Sequence, residues 1–243
     1  MNTPPQPRDI SRPHEYDHRH ADVSSGWLRA TVFGAMDGLV SNIGLIAGIA
    51  AAGASNSIVA ITGISGLIAG AISMALGEYT SVRTANEQLD AEVRTEREAH
   101  SRNPVGEQAE LSALFARLGM HEETADVAAS QVHANSESAV RVHLAHELGL
   151  SLDDRPSPWV AAFSSLLSFG VGAFIPIIPF VFGFGNLWVG LAFGGVGLLV
   201  AGGLAARTTK RNWFAGAARQ LLFGGIAVAA TYTIGMLLGV SNI

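Results

Sequence analysis

Two acidic residues stand inside stretches of the chain that are otherwise apolar: Asp37 in FGAMDGLVSNIG and Glu78 in ISMALGEYTS. In a membrane-spanning helix such a carboxylate costs ~2.5 kcal/mol or more on insertion scales, so it lines a pathway or holds a partner. Asp37 lies ten residues past Trp27, which is ~15 Å along a helix and near the middle of a hydrocarbon layer ~30 Å thick. Met74 precedes Glu78 by four positions, and helical spacing puts its thioether on the same face as the carboxylate. Carboxylate oxygens and a thioether suit transient binding of a divalent transition metal, Fe²⁺ above all, and discriminate weakly among Fe²⁺, Mn²⁺, Co²⁺ and Zn²⁺. The chain has no cysteine, which excludes disulfides and thiolate metal sites. Histidine is absent from the apolar stretches, which argues against tight zinc binding there; no tightly bound cofactor is expected, only a cation in passage. The competing readings are structural: Glu78 as a boundary residue paired with Arg83, and Met74 as packing.

The elements that must position these groups follow from composition. Of 243 residues, 49% are hydrophobic and only 14% charged, where a soluble domain carries about 25% charged residues. Pro156–Ala206 contains no Asp, Glu, Lys or Arg, and neither does Gln220–Ile243. As one helix the first block would run ~75 Å, too long for a single crossing; it breaks at FGFGN, residues 182–186. Spans are expected near 27–52, 58–81, 157–182, 187–206 and 214–240. The fold class is all-α: a five-span transmembrane helical bundle with a cytosolic helical insert between spans 2 and 3. Residues 26–83 hold the first two spans, 84–155 the insert and 156–243 the last three.

Arg8, Arg12, Arg19 and Arg29 precede the first span, Arg83 follows the second, Arg155 precedes the third, and Arg207, Lys210 and Arg211 fill the turn before the fifth. The remaining turns and the C-terminal SNI carry no charge. Since Lys and Arg gather on the cytoplasmic side, the N-terminus is expected inside and the C-terminus outside.

The insert holds most of the chain's 20 acidic residues. Its helical patterns are punctuated by Asn103-Pro104, Gly119, Asn135 and Gly149; the first is expected to continue the second span. Leu111, Leu114, Phe115 and Leu118 recur at helical spacing and form its expected small core. Gly44-xxx-Gly48 and Gly66-xxx-Gly70 allow close helix approach, within the chain or across a dimer. Residues 1–25 read as a disordered cytosolic tail, too polar and Pro-rich for a cleaved signal; in it His14, Asp17, His18 and His20 form an incidental cluster.

Other classes find little support. A membrane di-iron oxidase needs Glu-x-x-His motifs on facing helices, and the chain has none in the insert and no His in the spans. Nucleic acid is not an expected partner, because the basic residues flank the membrane instead of forming a stripe. A non-transporting scaffold or sensor would bind metal without moving it.

DGLVSNIGLIAG on the first span and GLIAGAISMALGEYTSVRTANE on the second resemble the vacuolar iron transporters. HELGL at the end of the insert, PIIPF in the third span and RNWFAGAARQLLFGG leading into the fifth support the resemblance. It implies a transporter and not an enzyme: a homodimer of five-span protomers exporting Fe²⁺, and Mn²⁺ too, from the cytosol in exchange for protons. For a bacterial member the membrane would be the plasma membrane. The resemblance places Asp37, Met74 and Glu78 on the translocation path and Glu96, Glu107, Glu110 and Glu147 in a metal-collecting insert. Glu107 and Glu110, at i and i+3, face one direction. The chain departs from the family pattern at Ala99, where a further glutamate is expected, and at His143 and Leu144, which replace a methionine pair; the resemblance makes His143 the expected substitute ligand.

Overall fold

A computed structural model describes residues 27–147, 149 and 155–240. The tail with His14, Asp17, His18 and His20, and the C-terminal SNI, lie outside the described residues. Among those described there is no strand, and five helices are long and apolar enough to cross a membrane.

Helix α1, Trp27–Ala51, is the first span. A turn with Gly53 at φ +86° leads to α2, Asn56–Arg102, whose 47 residues form the second span and continue beyond it without interruption. No proline lies between Asn56 and Arg102 to stop it; Asn103-Pro104 does, since the residue before a proline avoids the α region. Asn103 then caps α3, Pro104–Arg117, its side-chain oxygen accepting from the Gly106 N–H at 3.1 Å. Helices α4, Glu122–His133, and α5, Ser136–Glu147, complete the insert.

The third span is α6, Pro158–Phe174, a 3₁₀ turn at Ile175–Ile177 and a short α7, Ile178–Val181. The sequence pattern predicts one continuous helix here. Pro176 and Pro179 remove two amide donors and tighten the turn instead. Helix α8, Leu187–Thr208, follows Gly183 at φ +82°, and α9, Trp213–Val240, closes the bundle. Neutral side chains cap these helices: Asn186 accepts from the Trp188 N–H at 2.9 Å and Asn212 from the Phe214 N–H at 2.8 Å. Each satisfies a helix-end donor that has no partner within its helix.

Packing centres on α1, which meets α6 most extensively and also touches α2, α8 and α9. Gly34 and Gly38 lie against the α6 backbone around Ser165, Phe169 and Ala173, and Gly172 of α6 lies against the Ala35 carbonyl of α1. A Cβ at any of the three would collide, so glycine sets the approach. The buried Asn42 amide donates to Gly63 O on α2 at 3.2 Å and to Ala173 O on α6 at 2.6 Å, tying three spans together. Gly44 and Gly48 meet Thr231 on α9, and Gly70 meets the Phe169 ring on α6, so these glycine pairs serve packing within the protomer.

In the insert, Leu89 and Val93 of α2 pack on Val140 and Leu144 of α5, and Leu111 and Phe115 pack on Ala125 and Ala129 of α4. Leu118 departs from the expected core: it is 62% exposed. Helix α3 ends at Arg117; Leu118 is its C-cap, its N–H still donating to Leu114 O at 3.1 Å, and it stands at the exposed end of the stripe just before the turn at Gly119 (φ +102°). The extension of α2 is tied to the segment leading into α6 by Asp90–Arg155 at 2.8 Å and by Asn86 donating to Pro156 O at 3.1 Å.

Candidate metal centre

Asp37 is half-buried on α1, and Ser41, one turn on, donates its hydroxyl to Asp37 Oδ1 at 3.0 Å. The glycines at 34 and 38 bring α6 close on one side, leaving Asp37 on the neighbouring face. Met74, half-buried on α2, packs against the cluster of Ala71, Phe169 and Ala173. Glu78 has its side chain 13% exposed, and its Oε2 lies 3.5 Å from Arg29 Nη2. Its ionic partner is therefore Arg29 on α1, not Arg83; Arg83 pairs with Glu87 one turn along α2 at 2.8 Å. Arg29 precedes Asp37 by eight residues, so the Glu78 level lies roughly 12 Å along α1 from Asp37. The three residues do not form one coordination shell. They lie at successive levels of the bundle, with Met74 one turn from Glu78 toward the membrane interior.

A groove of about 640 Å³ between α1, α6 and α8 is lined by Leu39, Val171, Ile175, Phe193 and Val196 among other apolar groups. It offers a cation no ligand.

The insert does. Single ligand atoms of Glu96, His100, Glu107 and His143 all lie within 4.8 Å of one another. Glu96 and His100 sit one turn apart on the extension of α2, Glu107 in the first turn of α3, and His143 on α5. Glu96 Oε1 is 3.4 Å from His100 Nε2 and 3.4 Å from His143 Nδ1, and Glu107 Oε2 is 3.9 Å from His143 Nδ1. The two imidazoles are buried, with side-chain exposures of 8% and 1%, and the carboxylates nearly so. Two carboxylates and two imidazoles at this separation suit a divalent first-row metal. Glu110 is exposed on α3 and stands outside this set; the Glu147 side chain lies outside the described residues. Leu144 turns into the core with Leu89, Val93 and Val140, so of the pair at 143–144 only His143 faces the carboxylates.

His100 is the member that sequence reasoning passed over. Its signal was present: it follows Glu96 by four residues and so shares its helix face.

These features define a multi-span, all-α membrane protein with a carboxylate inside its bundle and a carboxylate–imidazole cluster outside it. Residues 28–236 match the VIT family. The chain is 34% identical over 237 residues to a vacuolar iron transporter of Acanthamoeba castellanii, covering 93% of this chain and 84% of the relative. It is 32% identical to vacuolar iron transporter homolog 2 of Oryza sativa subsp. japonica (86% and 88% covered) and 29% identical to vacuolar iron transporter 1 of Eucalyptus grandis (88% of each). The chain belongs to the VIT family, a family of transporters and not of enzymes.

Proposed function

We propose that the protein exports Fe²⁺, and Mn²⁺ as a second cargo, from the cytosol by proton antiport. The observation that carries this reading is the unbroken α2. One helix bears Met74 and Glu78 in the bundle and Glu96 and His100 in the insert, so collecting and translocating groups share a rigid element. The acidic insert concentrates the cation at Glu96, Glu107 and His143, with Glu110 on the flanking surface and Glu147, at the end of α5, as a further acidic group. Glu78 and Met74 pass the ion to Asp37, and a conformational change exposes it on the other side. An intramembrane carboxylate holds either a proton or a cation, which supplies the exchange.

The charge asymmetry of the loops supports a cytosolic N-terminus and insert and an outer C-terminus, in the plasma membrane of a cell without a vacuole. Little of the membrane segment of α2 is buried within one protomer, although it carries two path residues. A homodimer in which a second copy completes the path accounts for this. Purified protein in liposomes should carry Fe²⁺ down its gradient while protons move oppositely, read by a metal-quenched dye and a pH dye. Iron flux without proton movement would reject antiport; no flux at all would reject transport.

A further inference from the structure

The acidic cluster of the insert has a second face. The rings of His100, His133 and His143, from α2, α4 and α5, converge on one another. Centroids are 4.9 Å apart for His100–His133, 4.9 Å for His100–His143 and 5.4 Å for His133–His143. One nitrogen from each lies within 4.8 Å of the other two.

His133 shows which nitrogen faces inward. Its Nδ1 is 2.9 Å from the Ala129 carbonyl, one turn back on α4. A carbonyl only accepts, so Nδ1 is the donor, and in the neutral imidazole it is Nε2 that keeps the lone pair. That Nε2 is enclosed and has no hydrogen-bond partner. Histidines that ligate metals are held in this way, one nitrogen donating to a carbonyl so that the other is oriented and available. Aromatic packing alone does not ask for it: a phenylalanine at 133 would fill the space without enclosing an unanswered lone pair.

We propose that His100, His133 and His143 form a nitrogen-donor site for a late first-row divalent cation of the Zn²⁺ and Co²⁺ class. It is distinct in donor type from the carboxylate site beside it. Glu96 Oε1, 3.4 Å from both His100 and His143, supplies a neighbouring negative charge or fourth ligand. Three imidazoles favour Zn²⁺ and Co²⁺ over Mn²⁺, which prefers oxygen donors. Because His100 and His143 also belong to the Glu96–Glu107 set, filling the imidazole site withdraws two ligands from the carboxylate site. Zn²⁺ therefore competes with Fe²⁺ for loading. The inference rests on the reading of the insert as metal-binding and is independent of flux through the membrane.

The test uses full-length protein in detergent. Titration with Co²⁺ should produce the intense visible absorption of a low-coordinate, nitrogen-rich site, abolished by Zn²⁺. X-ray absorption on the zinc-loaded protein should show three imidazoles. The half-buried His133→Gln should weaken Co²⁺ and Zn²⁺ binding by about tenfold or more and bleach the band, with Mn²⁺ affinity changed less than about threefold and helicity unchanged by circular dichroism. A weak six-coordinate Co²⁺ spectrum, two or fewer imidazoles around zinc, or an unaltered titration in His133→Gln would overturn the site. Should His133→Gln fail to fold, the absorption measurement on the wild-type protein decides alone. A nitrogen-rich spectrum in a protein that moves no iron would leave this site standing and remove only the transport reading; flux with no such spectrum does the reverse.

Discussion

Arg29, at the start of α1, reaches across to Glu78 on α2, 3.5 Å away, where α2 leaves the membrane bundle. On the proposed path, a guanidinium there occupies the carboxylate that an incoming cation would use. The Arg29 side chain is 72% exposed, so the pair contributes less than ~1 kcal/mol to stability. Under the proposed function it would act instead as a competitor at the mouth of the path. Arg29→Gln is expected to leave thermal stability unchanged and to lower the apparent KM for Fe²⁺ about two- to fivefold. An unchanged KM in the liposome assay would show that Glu78 takes no part in loading.

Asn42 joins three spans through two hydrogen bonds at membrane depth. Such bonds contribute about 0.6 kcal/mol each on average and up to about 1.7. Asn42→Leu should therefore destabilise the folded bundle by about 1–3 kcal/mol, measured as a lower unfolding midpoint in detergent.

The α1–α6 approach gives a sharper contrast. A Cβ on Gly38 would lie 2.9 Å from Ala173 N and closer still to the Phe169 carbonyl oxygen. Because both atoms belong to the backbone of α6, neither can swing aside. Gly38→Ala should reduce the yield of folded, monodisperse protein and cost about 1–3 kcal/mol or more. Gly225 on α9 has nothing within 4 Å of its would-be Cβ, so Gly225→Ala should be neutral or slightly stabilising.

In the insert, Glu96 and Glu107 stand with the buried imidazoles while Glu110 is exposed. Glu96→Gln should weaken Mn²⁺ binding by about tenfold, and Glu110→Gln by less than about twofold. Calorimetry on the full-length protein separates the two; equal effects would place the ion on the outer surface of α3.

Much of this molecule is legible in its sequence because a bilayer dictates so narrow a solution. An apolar run must be a helix, and its length must match the layer, which is why the five spans fall where hydropathy puts them. The path of α2 into the insert is legible too, since Asn103-Pro104 is the first stop after Asn56. What failed was local inference about partners. Arg83 is the nearest cation to Glu78 along the chain, but it lies five residues on, off the Glu78 face, and finds Glu87 at i+4. The true partner, Arg29, is 49 positions away on another helix. Leu118 keeps the helical period of Leu111 and Phe115, yet it caps the last turn of α3 and stays 62% exposed, outside the cluster that packs on α4. The imidazole cluster was illegible for the same reason as Arg29. His100, His133 and His143 meet only because α2, α4 and α5 fold together, and each alone resembles a histidine on a polar helix.

The most direct measurement is Fe²⁺ flux through Asp37→Ala in proteoliposomes, with Ser41→Ala as the neighbouring control. Flux is expected to fall to the level of empty liposomes in Asp37→Ala, with folding and insert metal binding intact, and to persist in Ser41→Ala. Wild-type flux through Asp37→Ala would mean that cations cross elsewhere, and the path described here would be wrong.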